Sequence, residues 1–334
     1  MNKDVLLIDV DGKNPNLALM KISRYYKEQG YNITLKRLEL NYYRKSEKIE
    51  IDALGYFKVF VSIIFPINKN TVFVKNCNSV EYGGTGYSLT KELPIEIYNS
   101  LPDYSIYPEN DISYGFITRG CIRNCYFCFV PKKEGKLRLD TPIDNIIQHK
   151  KVKFMDNNFL AYDKHKDIFK QLNNREIKYQ FNQALDIRLI DDENARLLSE
   201  ANYLGEYTFS FDDIKYRIIV EEKVGILKRY IPKDWRIKMF IYVNPNMEIH
   251  DTIKRIEWCR EKKILPYIMR DKSCWKSENK EFYIDISSYC NQPNIFKKMT
   301  FKEFIIRRTK NIDRQNKGIL LYTLDPQKMP EELK

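Results

Sequence analysis

Cys121, Cys125 and Cys128 fall within eight residues of the stretch GCIRNCYFCFVP, residues 120 to 131. A disulfide uses two thiols and a structural zinc site takes four ligands, so three thiols in this Cx3Cx2C spacing match neither. Zinc would need a fourth Cys or His, and the next histidine, His149, stands 21 residues beyond Cys128. A dithiol redox pair would use Cys125 and Cys128 and leave Cys121 without a role. Chance placement of buried cysteines is the blandest alternative. The reading ranked first is a 4Fe-4S cluster held by three thiolates, with one iron open to a ligand that is not protein. An open position is what a catalytic centre needs. The zinc, dithiol and chance readings stand beside it.

Such a loop has to be carried by regular elements. KDVLLIDV (3 to 10) reads as a strand, and Leu17, Met20, Ile22 and Tyr25 form the inward face of a helix closing at Gly30. NITLKRL, FKVFVSIIF and TVFVKN read as further strands. This opening predicts a small doubly wound, Rossmann-like domain over residues 1–105. The glycine-rich EYGGTGYS (81 to 88) lacks the strand–GxGxxG–helix context of a phosphate cradle, so it is read as a loop or substrate-side lid.

From residue 112 strands and helices alternate. Strands are expected at SYGFITRG, VKFMDNNF, KYQFNQALDI, EYTFSFDD, RIKMFIYVN and ILPYIMR. Helices are expected between them at IDNIIQHKK, HKDIFKQLNN, DDENARLLSEA, YRIIVEEKVGILKRY and HDTIKRIEWCREKK. Six strands with five helices predict an α/β chain with a partial (βα)6 TIM-type barrel over 106–275. A small, mainly helical C-terminal extension follows over 276–334, with alternation in EFYIDISSYC and an amphipathic helix in FKKMTFKEFIIRR. In such a barrel the chemistry sits at the C-terminal ends of the strands. Gln183, Asp186 and Arg188 end the third strand, Asp212 and Asp213 the fourth, and Arg270 the sixth. Strand-end salt bridges and solvated loop charges are the plain alternatives for them.

Composition bounds the rest. The chain is 43% hydrophobic and 31% charged, as globular chains are. Its most apolar stretch, FKVFVSIIF, has strand length and contains Lys58, so no membrane segment or signal peptide is expected. With seven cysteines, an odd number, a cytoplasmic location is expected. The net charge of +12 would suit a nucleic-acid partner, but the charges are scattered and the chain is rich in Lys, Asn, Ile and Tyr, so compositional bias explains them as well.

The stretch GCIRNCYFCFVPKKEGKLR resembles the signature of the radical S-adenosylmethionine (SAM) superfamily, Cx3CxΦC with Phe127 at Φ. It is most similar to the subgroup of cobalamin-binding-domain enzymes and methylthiotransferases. FMDNNF (154 to 159), FNQALDIRLIDDENARLL (181 to 198) and PYIMR (266 to 270) resemble later strand elements of that subgroup. The resemblance implies that Cys121, Cys125 and Cys128 hold a 4Fe-4S cluster whose open iron is chelated by SAM. An electron from a donor such as flavodoxin or ferredoxin would cleave SAM to methionine and a 5′-deoxyadenosyl radical, which takes hydrogen from a substrate. It further implies Phe127 beside the cluster and adenine, and Asp156 and Asn157 on the SAM amino group or ribose, where the commoner Gly-Gly-Glu motif is absent. Gln183 and Arg188 would also contact SAM, Arg188 by pairing its carboxylate, while Asp212 and Arg270 would face substrate.

The resemblance also puts a cobalamin-binding domain at the N-terminus. Ligation through DxHxxG is not available, because residues 9 to 12 read DVDG and no histidine precedes His149. A degenerate domain kept for packing or substrate binding is preferred, with cobalamin held without a protein imidazole as the minor alternative. Methylthiolation of tRNA is not expected, since the N-terminal region holds only Cys77 and the tail reads as helical. An auxiliary cluster on Cys259, Cys274 and Cys290 is not expected either, given their loose spacing. A nucleic acid or nucleotide is the first substrate class, and a peptide or small metabolite the second. The non-enzyme alternative is an iron–sulfur or zinc module that senses redox state or binds nucleic acid.

Overall fold

The computed structural model describes residues 3–41 and 46–323. The ends of the expected first domain and C-terminal extension, at 1–2 and 324–334, lie outside the described residues, as do 42–45. The chain is mixed α/β with parallel sheets and divides into two compact units, Met1–Lys153 and Phe154–Lys334.

The first unit begins with β1 (Asp4–Asp9), α1 (Leu17–Glu28), β2 (Asn32–Arg37), β3 (Ile49–Asp52), β4 (Lys58–Ser62), β5 (Val72–Lys75) and β6 (Val80–Gly83). It continues with α2 (Ile95–Tyr98), β7 (Ile112–Gly115), β8 (Thr118–Arg119), α3 (Val130–Lys133), β9 (Arg138–Leu139), α4 (Ile143–Ile146) and β10 (Lys151–Phe154), where it ends. Its main sheet is parallel in the order β2-β1-β4-β6. Val5 to Ile8 form an unbroken apolar run, as a strand covered on both faces requires. Leu6 and Ile8 pack with Val59 and Val61 on one side; Val5 and Leu7 pack with Leu19, Ile22 and Tyr26 of α1 on the other. Asn16 caps α1 by accepting the N–H of Leu19 at 3.2 Å.

Three local expectations fail for physical reasons. TVFVKN, read as the next strand of the domain, forms β5 and pairs with the unexpected β3 in a separate parallel pair. The fourth strand of the main sheet is instead β6, inside the stretch read as a glycine turn, and none of its residues is fully buried. The glycines beyond it serve a close approach: Gly84 has φ +93°, and a Cβ there would stand 2.3 Å from the Ile63 carbonyl oxygen. IDNIIQHKK forms only the single turn α4, because Ser113 Oγ accepts the N–H groups of Gln148 and His149 at 2.9 Å each and draws the backbone out of the helix.

The second unit contains α5 (His165–Asn173), β11 (Lys178–Phe181), α6 (Asp192–Glu200), β12 (Tyr207–Ser210), α7 (Arg217–Tyr230), β13 (Ile237–Val243), α8 (Ile249–Glu261) and β14 (Leu265–Arg270). Then come α9 (Lys280–Cys290), α10 (Pro293–Lys298), α11 (Phe301–Arg308) and α12 (Ile312–Tyr322). β12, β13 and β14 are parallel neighbours, and the bridge of Leu185 to Phe209 ties the segment after β11 to β12. Each strand therefore lies beside the next in sequence, but no closed barrel forms among the described residues. Phe159 stacks on Phe181 at 4.4 Å between centroids, and Phe154 and Phe169 pack against Phe181. The alternating EFYIDISSYC folds as helix α9, and its buried Asp285 accepts from Arg314 at 2.7 and 2.9 Å and pairs with Arg308 at 2.9 Å. Among the described residues no helix is long and apolar enough to cross a membrane.

Gly84→Ala tests the close approach at the end of β4. The positive φ and the backbone clash together should cost the first unit about 2–4 kcal/mol, read as a lowered denaturation midpoint with an unchanged slope.

Candidate functional site

The cysteine loop lies in the first unit, between the two short strands β8 and β9. These pair antiparallel, Thr118 opposite Leu139 and Arg119 opposite Arg138. Gly120, at φ +86°, turns the chain into the loop, where a Cβ would come within 2.3 Å of the Lys136 carbonyl oxygen. Cys121, Cys125 and Cys128 are half-buried. The N–H of Arg123 donates to Cys121 Sγ at 3.3 Å, and the N–H of Cys128 to the Cys125 carbonyl at 2.9 Å. Backbone donation to sulfur is the kind of contact that stabilises a thiolate ligand. Phe127 meets the exposed Tyr126 edge-on at 5.2 Å. Among the described residues no three His, Cys, Asp or Glu side chains are gathered tightly enough to hold a metal ion.

In the second unit the candidate residues gather at the C-terminal ends of the parallel strands. Asp156 is buried and Asn157 half-buried in the segment after Phe154, whose carbonyl accepts the N–H of Asn182 at 2.8 Å. Asn158, one residue beyond the two expected, is buried and donates to Asp186 Oδ2 at 3.5 Å. Arg188 forks onto Asp186, Nε to Oδ1 at 2.7 Å and Nη2 to Oδ2 at 3.2 Å, and its guanidinium lies 4.8 Å from the Tyr216 ring centre. The strand-end salt bridge weighed against SAM contact is thus present, and Asp186 is what Arg188 holds. Gln183 is exposed.

Asp212, at the end of β12, accepts the N–H of Tyr242 at 3.1 Å. Burial pushes its carboxyl up to about 6, against the pull of that hydrogen bond and of the Arg255 and Arg188 charges. Arg255, on α8, is wholly buried and donates to the carbonyls of Phe211 and Tyr242 at 2.9 and 3.3 Å. Nothing in TIKRIEW singled out that arginine, since one basic residue in a helix ordinarily points to water. Asp213 is spent on the following turn, accepting from the Lys215 N–H at 3.0 Å and pairing with its ammonium at 2.8 Å. Arg270 lies over Trp275, 4.6 Å from the ring centre.

The first unit has its own strand-end crevice between β1 and β4, where the strand order reverses. Its own carboxylates fill it. Asp9 is buried, which raises its pKa, and accepts the Tyr107 hydroxyl at 2.9 Å and the Gly12 N–H at 3.1 Å. Asp11 accepts the N–H groups of Ile64 and Phe65 at 2.8 and 3.1 Å and the Asn68 amide at 3.0 Å, so it takes the donors a phosphate would need. The unit's histidine, His149, is bonded to Ser113 Oγ at 3.0 Å and sits edge-on to Tyr104. The strand ends at this crevice thus carry carboxylates and no histidine.

Asp212→Asn keeps the acceptor for the Tyr242 N–H and removes the charge. A folded-state pKa raised from 3.8 to about 6 means that wild-type stability is fullest below the lower value and falls as pH rises through the upper one. The variant should therefore gain on wild type by up to about 3 kcal/mol between pH 4 and 7, and no further above it, in paired denaturation curves. A difference flat with pH would remove the buried-charge account.

Compared with models of known protein families and with curated protein sequences, the chain matches none.

Proposed function

We propose that this chain is a radical SAM enzyme built from a degenerate Rossmann-like domain and a partial βα barrel. The observation that carries the reading is the Cx3Cx2C triplet of half-buried thiols on one loop pinned between β8 and β9. The donor set fits a 4Fe-4S cluster: Cys121, Cys125 and Cys128 bind three irons, and the loop holds no further Cys or His for the fourth. When bound, the cluster supplies one electron for reductive cleavage of SAM. The chain's share is to bind, orient and exclude water.

Within that reading Cys121 is prepared as a ligand, since it already accepts a backbone N–H. Asp156, Asn157 and Asn158, in the segment that follows β10, offer oxygens and an amide for the amino group or ribose of SAM. Arg188 orients Asp186 and would have to leave it to pair with the SAM carboxylate. Asp212 changes protonation near neutral pH and is suited to exchanging a proton with substrate. The consecutive parallel strands β11 to β14 support the barrel reading. Lys and Arg outnumber Asp and Glu by six in residues 1–153 and by six in 154–334. The charge is therefore not concentrated in either unit, and it favours no nucleic-acid substrate over a peptide or small metabolite.

Anaerobic reconstitution should give a brown protein with about four irons per chain. Dithionite and SAM should then yield 5′-deoxyadenosine, and Cys125→Ala should lose both iron and product. A colourless protein carrying one zinc would replace the enzyme reading with the zinc-module alternative.

A further inference from the structure

The neck of the cysteine loop is closed by charge as well as by backbone. Arg119 Nη1 donates to both carboxylate oxygens of Glu134, at 3.2 and 3.1 Å, and its Nε stands 3.1 Å from Asp140 Oδ1. All three side chains are largely withdrawn from water, at 15, 10 and 5% exposure. The guanidinium lies 3.8 Å from the Phe116 ring centre, and Asp140 also receives the Tyr98 hydroxyl. Glu134 ends the short helix α3, its N–H donating to the Val130 carbonyl at 2.7 Å, and that helix begins two residues after Cys128. One guanidinium thus joins the residue two before Cys121, the residue six after Cys128, and the strand exit at Asp140.

We propose that Arg119 is the positioning residue of the cysteine loop, fixing the distance between its entry and exit and so narrowing the conformations open to the three thiols before any metal arrives. This rests on the cluster reading for its purpose and on the ion pairs alone for its geometry. An unclamped loop of this length would have to lose its conformational freedom when ligand binds; a clamp moves that cost into folding. The planar guanidinium suits the role, because Nη1 bonds Glu134 while Nε, without a hydrogen bond, stands in ion-pair range of Asp140 from the same rigid plane, whereas an ammonium is a point charge on a flexible stem.

The test uses the full chain stripped of metal. Alkylation of each cysteine is followed by peptide mass spectrometry, together with tryptic cleavage at Arg123, Lys132 and Lys133 within the loop. Arg119→Met should raise alkylation of Cys121, Cys125 and Cys128 about tenfold, and Arg119→Lys should recover only part of the protection. Glu134→Gln lies at the helix end and leaves the buried arginine in place, so it reports even where Arg119→Met fails to fold. It should act in the same direction, and the double variant should add little to either single one. Cys77, half-buried in the same unit but outside the loop, should keep its wild-type rate. Unchanged loop cysteines, or Cys77 rising in step with them, would overturn the clamp. After reconstitution the same variants should lose iron to a chelator faster than wild type. If wild type takes up no iron while the variants still loosen the loop, the cluster reading fails and the clamp stands. Four irons held equally well in wild type and all variants would sink the clamp and leave the cluster reading intact.

Discussion

A parallel strand must end with its backbone satisfied, and in this chain side-chain carboxylates and amides satisfy the turns that follow. Asp11 accepts from Ile64 and Phe65, Asp212 from Tyr242, Asp213 from Lys215, Asn244 from Asn246 and Asp271 from Ser273, all between 2.8 and 3.1 Å. Asp186 does the same for Arg188 at 3.3 Å. Because the strands run parallel, these acceptors collect at one kind of edge in each unit, the edge where an α/β chain also does its chemistry. Side-chain acceptors are needed there by the fold before any ligand is considered.

That constraint separates the two units. In the first, Asp9 and Asp11 spend their oxygens on the N–H groups, the amide and the hydroxyl around them, and the crevice between β1 and β4 is closed by its own side chains. In the second, Asp212 takes one backbone N–H and remains costly to ionise even with Arg255 and Arg188 nearby. A capping role alone does not require a carboxylate, since Asn244 caps its turn with an amide and carries no such cost. Within the proposed function, a carboxylate kept at that strand end suits exchange of a proton with substrate.

Regular elements were legible where a single segment carried the whole signal. β1, α1, α6, α7 and α8 show unbroken apolar runs or helical periodicity over nine or more residues in the helices. What escaped was set by partners distant in sequence. β3 is four residues long with Ile51 alone fully buried, and only its pairing with β5 makes it a strand. The last residues of IDNIIQHKK suit a helix, and it is Ser113, about 35 positions earlier, that ends it. The cysteines were visible because spacing is a local property. Arg119, Asn158 and Arg255 were not, because a charge or amide written in a sequence looks the same whether it faces water or closes a buried fork.

The charge on the loop neck decides how it acts. A neck that lowered the thiol pKa values would carry an excess of positive charge beside them, as thiolate-stabilising sites do. Here Arg119 is met by Glu134 and Asp140, and Arg138 donates to the Glu134 carbonyl, so two cations stand against two anions. That set gives the neck a fixed frame. Salt would weaken an exposed version of it, but Arg119, Glu134 and Asp140 are drawn out of water and the guanidinium lies over the Phe116 ring, where screening is slight; Arg138 alone is exposed. The neck therefore acts by geometry, while the cationic side chains Arg123, Lys132, Lys133 and Lys136 belong to the loop it closes.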